Sequence, residues 1–373
     1  MLGLGANITS VAKAGTTIVK DGLVLRHEYK DSPVQLVSSG AANINADANG
    51  TEFIDVGLID VTTTDVSISA WVYITNFVQY AAIFSNRHAS GDKQGLALRT
   101  DSNNTFQIIL DESTSGSSTS ISSAKNTNQW YHLCAVFDRS GSQYLYVDGV
   151  LEDSDSISTL TDNLAHTTSA RIGKNYGSYE QNGYICNVGY WDRVLTQSEI
   201  KSIMQKDYAG LSDSEKTDLV SWWNLDETLG DKSLVLDNNS TFGLNLITNG
   251  DFSSGLDGWG GTGSGRITTL NGITTLNGTT GVAQLIQANV LTDLETYEAE
   301  FTITNHNGDL TYSQVMDNTG ASLYEIPGDG VYKIHFTHTH SNKNIIFRAK
   351  DGSAFSISNI SVKQINGNTG TLS

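Results

Sequence analysis

Short alternating runs separated by polar turns begin at Asp21 and continue almost to the end of the chain. In Val66-Ser-Ile-Ser-Ala-Trp-Val-Tyr-Ile74 the residues at 66, 68, 70, 72 and 74 are all apolar, while Ser67 and Ser69 take the other face. A period of two is the mark of a strand with one buried face. Tyr144-Leu-Tyr-Val-Asp148-Gly149-Val-Leu151 reads as a strand, a two-residue turn and a returning strand, because glycine supplies the positive φ of a type I′ turn. The low-complexity run Ser113–Ser123 predicts an exposed loop or an edge strand. Helix signals are few. Thr196-Gln-Ser-Glu199 is a capping box with Leu195 and Ile200 as its hydrophobic staple. A second box, Ser212-Asp-Ser-Glu215, predicts a turn or two of helix before the strand Leu219–Leu225. Trp222 and Trp223 must face opposite sides of that strand, which leaves one of them for an exposed face.

This pattern predicts an all-β chain of two tandem antiparallel β-sandwiches with one or two short helices. Residues 1–20 carry no strong period and are expected to form an arm, a tether, or a segment that orders on a partner surface. The first sandwich is placed at 21–236, a polar linker at 237–244, the second sandwich at 245–365 and a tail at 366–373. The two are expected to fold independently. A local echo, Thr-Thr-Leu-Asn-Gly at 268–272 and again at 274–278, predicts two short strands or turns rather than a repeat domain.

Composition narrows the class. Thirty-six glycines against 2 prolines, with 15 Tyr, 11 Phe and 6 Trp, exclude a coiled coil, a helical bundle and a disordered chain. No apolar run is long enough to span a membrane as a helix, and the opening residues lack the pattern of a signal peptide. Forty acids against 22 bases give a formal charge of −18, which repels nucleic acid and anionic membrane surfaces. Cys134 and Cys186 lie in apolar runs and are expected to be reduced core residues.

Six motifs carry a family resemblance. Phe53-Ile-Asp-Val-Gly57, Ser69-Ala-Trp-Val-Tyr73, Trp130–Phe137, Leu145-Tyr-Val-Asp-Gly-Val150, Ala170-Arg-Ile-Gly173 and Gly183–Trp191 come in the order found in laminin-G-like, concanavalin A-like domains. The helix at Leu195–Ile200 also falls where that family places a short terminal helix. The resemblance covers roughly residues 21–230 and implies a jelly-roll used for carbohydrate or protein binding, sometimes with calcium. The second region resembles carbohydrate-binding modules that open on Asn249-Gly-Asp-Phe252 and close on a strand such as Phe355–Val362. The family's structural calcium needs acids where this chain has Ser253 and Ser358, so that site is not carried over. The tandem layout resembles virion structural proteins of bacteriophages: capsid decoration proteins, fibres and tail adhesins.

Glycosidases of the concanavalin A-like fold carry paired acids at alternate strand positions, so that one attacks while the other protonates the leaving oxygen. The nearest pairs, Asp293/Glu295 and Glu298/Glu300, flank Tyr297 in the second region and are expected to be solvated strand residues. No enzyme activity is expected. Asn45, Asp47, Asn49 and Glu52 place oxygen ligands around Gly50, either as a calcium loop or as an ordinary Asx-rich turn. His335, His338 and His340 read as polar strand-end residues, since no Cys or acid within the run completes a metal site. Phe77 and Tyr80, with Tyr176 and Tyr179, are the candidates for an aromatic binding rim, and Trp259 is either a further ligand contact or a core anchor. The resulting expectation is a noncatalytic bacteriophage surface protein, homo-oligomeric, attached to other virion proteins through its N-terminal arm and binding host-surface glycans. The alternatives are a purely architectural capsid or tail component and a glycan-processing enzyme.

Overall fold

The computed structural model describes residues 38, 40–44, 53–59, 61–87, 93–112, 116–165, 167–177, 179–225, 234–263, 265–307, 313–316, 322–339 and 341–372. Among the described residues every strand pair is antiparallel, and the strands fall into two groups of two sheets. Sheets of seven and eight strands form the first group, and sheets of six and five form the second. Each group has its own buried cluster, so the chain is all-β with two tandem sandwiches.

Alternation places the strands as read. Val66–Ile74 is central in the seven-stranded sheet, and its even-numbered residues enter the first core with Leu133, Phe137 and Leu145. The turn between Ser142–Val147 and Val150–Ser156 has Asp148 at φ 50 and Gly149 at φ 74, the two positive values of a type I′ hairpin. The low-complexity run supplies an edge strand, Gly116–Ile121, of the eight-stranded sheet. The echo at 268–278 is a hairpin, with Ile267–Leu270 paired to Ile273–Asn277.

The helix α1, Gln197–Ile203, starts at the expected capping box, with Thr196 Oγ1 accepting from Glu199 N. It lies on the outer face of the seven-stranded sheet, where Ile200 and Ile203 pack with Trp191, Trp222, Cys134 and Val136. That cover changes the expectation for the tryptophan pair. Trp223 faces the core, Trp222 faces α1 and Trp191, and both are fully buried. Ser212 and Glu215 make the hydrogen bonds of the second box but close only turns, beside a short 3-10 helix at Tyr208–Gly210. Cys134 and Cys186 are both buried.

His132 is buried on the covered face, its Nε2 2.9 Å from Ser69 Oγ. Burial pushes its pKa from 6.5 down to about 3. As pH falls the unfolded chain therefore takes up this proton first, so the stability tied to the ring is intact above the ordinary imidazole range and is lost below it. The loss is up to ~1.4 kcal/mol per pH unit until the buried ring itself titrates. Urea unfolding of His132→Gln between pH 6.5 and 4 should show a dependence shallower by close to one proton. An unchanged slope would contradict a neutral buried ring.

The groups are joined in a way the sequence pattern does not announce. Gly370–Leu372, in the segment expected as a tail, pairs with Ile54–Asp55 and with Leu234–Val235, extending the eight-stranded sheet of the first group. Thr241–Asn245, in and after the expected linker, pairs with the long closing strand Ala354–Asn366 of the second group. The second sandwich thus interrupts the first between two strands that are hydrogen-bonded to each other. Among the described residues no helix is long and apolar enough to cross a membrane.

Candidate functional site

In the eight-stranded sheet Ile54, Ile172, Phe84, Leu98 and Ile108 point into the core, so their strand neighbours point out. Register sets Arg171 beside Ser85, Ser85 beside Ala97 and Ala97 beside Ile109 in one row across that outer face. In the next row Arg99 stands beside Gln107. The small side chains of Ser85 and Ala97 leave the middle of the face low.

Two loops stand over it. Tyr80 has φ 63, a left-handed backbone that is costly for a bulky side chain and that concentrates at functional sites. Buried Asn175 ties the loops together: its Nδ2 donates to Tyr80 O at 3.0 Å, and its Oδ1 accepts from Tyr176 N at 2.9 Å and from Ser85 Oγ at 3.1 Å. The rings of Tyr80 and Tyr179 lie 5.8 Å apart and those of Tyr176 and Tyr179 6.0 Å apart, both edge-on. Three of the four rim candidates therefore form one cluster, with Tyr179 the most exposed of them.

Cations lie beneath the rings. The Arg87 guanidinium sits 5.1 Å from the Tyr176 ring centre and that of Arg99 4.7 Å from Tyr80. Arg171 and Lys174 both face Phe53, at 4.8 and 4.7 Å. Arg87 is ion-paired to Asp111, and Lys174 to Glu180 at 2.8 Å. Among the described residues neither Arg99 nor Arg171 is in an ion pair; Arg99 Nε donates instead to Gln107 Oε1 at 3.1 Å. Burial, and then the neighbouring Arg87 charge, pull the Arg99 pKa down to about 10. A small cleft opens between Arg87, Arg171 and Lys174, with Ser85, Asn175 and Tyr176 on its walls and the hydroxyl residues Thr168 and Ser169 at its edge.

The other candidates lie elsewhere. Phe77 turns inward and packs on Phe106 at 5.4 Å, so it is core rather than rim. Trp259 is buried in the second sandwich against Phe252 and Phe347, its Nε1 donating to Asn249 O at 3.1 Å. It is the anchor of its motif. Asn45, Asp47, Asn49 and Glu52, the calcium candidates, lie outside the described residues. Glu298 and Glu300 are not simply solvated: Lys333 bridges both, and His335 Nε2 lies 3.0 Å from Glu298 Oε2. Among the described residues no group of three or more His, Cys, Asp or Glu is placed to hold a metal.

A family model described as the concanavalin A-like lectin/glucanases superfamily matches residues 47–201. The matched span holds the whole of the face just described. Residues 47–201 thus have a concanavalin A-like, lectin-type architecture, a fold compatible with carbohydrate binding. No curated protein sequence matches the chain. Among solved structures, the chain is similar to a heptameric SAP-like pentraxin from Limulus polyphemus, at 15% identity over 50% of this chain and 91% of that one, with a TM-score of 0.38. A putative carbohydrate-binding protein from Bacteroides ovatus matches at 15% identity, 53% and 55% coverage and a TM-score of 0.41. Domain 4 of an extracellular arabinanase from Geobacillus stearothermophilus, solved with arabinotriose, matches at 19% identity, 44% and 76% coverage and a TM-score of 0.35.

Arg87, Arg99, Arg171, Lys174 and Asn175 were not singled out in the sequence. Alternation marks two of them, since Arg99 follows Leu98 and Arg171 precedes Ile172, each opposite a core residue. Their convergence depends on strand pairing, which no local pattern encodes.

Proposed function

We propose that the chain is a noncatalytic glycan-binding protein that takes saccharide on the outer face of the eight-stranded sheet. The observation that carries this reading is the joint placement of Tyr80, Tyr176 and Tyr179 around a low floor lined with guanidinium, amide and hydroxyl groups. Sugar rings offer apolar C–H faces to aromatic rings and hydroxyls to polar donors, and such mixed, partly preformed clefts suit them. The carboxylates of Asp111 and Glu180 are held by Arg87 and Lys174, which suits a binding face better than general acid–base chemistry. The resemblance of the tandem layout to bacteriophage structural proteins extends the proposal to a virion surface, as capsid decoration, fibre or tail adhesin, with residues 1–20 as the attachment arm. Copies repeated over a particle would gain avidity from individually weak sites.

The full chain on a glycan array, followed by titration calorimetry with the strongest hit, tests the binding reading. Tyr176→Ala should weaken binding about tenfold through lost ring contact while leaving the melting temperature nearly unchanged. Binding that is indifferent to alanine at both Tyr176 and Tyr80, or no glycan bound at all, would remove the face from consideration.

A further inference from the structure

We propose that the ligand of this face is an anionic saccharide, one whose carboxylate or sulfate ester enters the cleft between Arg87, Arg171 and Lys174. The inference rests on the glycan-binding reading and adds the ligand's charge to it. The cleft walls carry three cations; Arg87 and Lys174 are ion-paired to Asp111 and Glu180 behind the lining, while Arg171 is in no ion pair among the described residues, in a chain whose formal charge is −18. A surface so dominated by acids does not gather cations in one depression by default. Bulk charge is screened beyond about 8 Å at physiological salt, so the local sign decides what the cleft accepts.

The site also carries unmet hydrogen-bonding capacity. Arg87 is only 4% exposed and its Nη1 has no partner; Arg171 Nε is likewise buried and unpartnered. A guanidinium offers five donors in a planar fork that fits a two-oxygen anion edge-on. An oxyanion at this point would meet the guanidinium groups of Arg87 and Arg171 with the Lys174 ammonium beside them. Ser85 and Asn175 supply neutral groups for the rest of the sugar, and Tyr176 closes one side over Arg87. A neutral sugar would leave the donors unmet, which is the physical basis for discrimination.

Calorimetric titration of the full chain decides the matter, using hexuronate oligosaccharides beside their methyl esters and sulfated oligosaccharides beside the unsulfated parents. Each pair differs in charge and little else. At least one anionic member should bind roughly tenfold tighter than its neutral counterpart, the scale of a charge-assisted hydrogen bond, and the preference should weaken as salt rises. Which pair shows it assigns the carboxylate or the sulfate ester. Arg171→Gln should abolish the preference but keep the weaker neutral binding, whereas Lys201→Gln on α1 should change nothing. Anionic and neutral members bound equally would overturn this inference and leave the glycan-binding reading standing. Failure of every saccharide would overturn both. Inorganic sulfate competing as well as the saccharide would mark the cleft as an adventitious anion site and also overturn the proposal.

Discussion

Asp237→Ala should lower stability by on the order of 4 kcal/mol, the largest loss expected from any single polar residue of the chain. Its carboxylate is buried where the chain leaves the first sandwich for the second and where it returns. Oδ1 accepts from Trp222 N and Asn239 N, both at 2.9 Å, and Oδ2 accepts from Asn368 N at 3.0 Å. The returning segment is fixed further: Asn368 O accepts from Trp223 Nε1 at 2.8 Å, and Asn368 Nδ2 donates to Ser221 Oγ at 2.7 Å. Alanine leaves three backbone donors without an acceptor in a place that water does not reach. Burial raises the Asp237 pKa even against those three donors, which shows how far the site lies from solvent. Truncation after Gly367 removes Asn368 and the strand Gly370–Leu372 together and should destabilise the first sandwich comparably. Both are measured by urea unfolding with tryptophan fluorescence as the probe. A truncated chain with unchanged first-sandwich stability would mean that the returning strand contributes nothing to the sheet.

This clasp marks where sequence reasoning runs out. Strands long enough to alternate were legible: Val66–Ile74 and the Asp148-Gly149 hairpin are each where the pattern puts them. Gly370-Thr-Leu372 is three residues long and carries no period, and its pairing partner lies more than three hundred positions earlier. The same physical limit hid the cations of the binding face. Positions 87, 99, 171 and 174 come together through antiparallel register, with Ser85 as the residue between the strands that carry Arg171 and Arg99. Tyr176 and Tyr179 are legible because the Gly-Ser between them marks a loop, and loops carry binding groups. Phe77 lies in the loop that follows the core strand Val66–Ile74 and packs on Phe106, so burial claims it. Trp222 shows a tertiary effect of another kind: a strand face that would be solvated in an isolated sheet is covered by α1.

The Asn249-Gly-Asp-Phe252 motif, which carries the resemblance to carbohydrate-binding modules, has a physical reason in the structure, and the second large effect follows from it. Gly250→Ala should cost about 3 kcal/mol or more in the second sandwich. A Cβ at Gly250 would stand 2.0 Å from Ile360 O, on the strand that closes this sandwich, and Ile360 N donates to Gly250 O at 2.9 Å. The clash is with backbone, so no side chain can move aside to relieve it. Around this contact Asn249 Nδ2 donates to Gly255 O and Asp257 O, and Asn249 O receives Trp259 Nε1, so a shift of the loop would also unseat the core tryptophan. Gly255, in the same loop, separates the two roles of glycine: its φ is +64, but a Cβ there would meet nothing within 4 Å. Gly255→Ala should therefore cost only the left-handed backbone term, about 1 kcal/mol. Thermal unfolding of the two variants should differ accordingly, with Gly250→Ala the lower by well over the difference between replicate melts. Equal melting temperatures would show that the approach of the loop to the closing strand is not what the motif enforces. The residues lining the cleft, from Ser85 to Tyr176, all belong to the first sandwich, so Gly250→Ala should spare saccharide binding at temperatures where the first sandwich remains folded. Loss of binding in parallel with the second sandwich would instead make the two parts one cooperative unit, coupled through the returning strand that Asp237 holds.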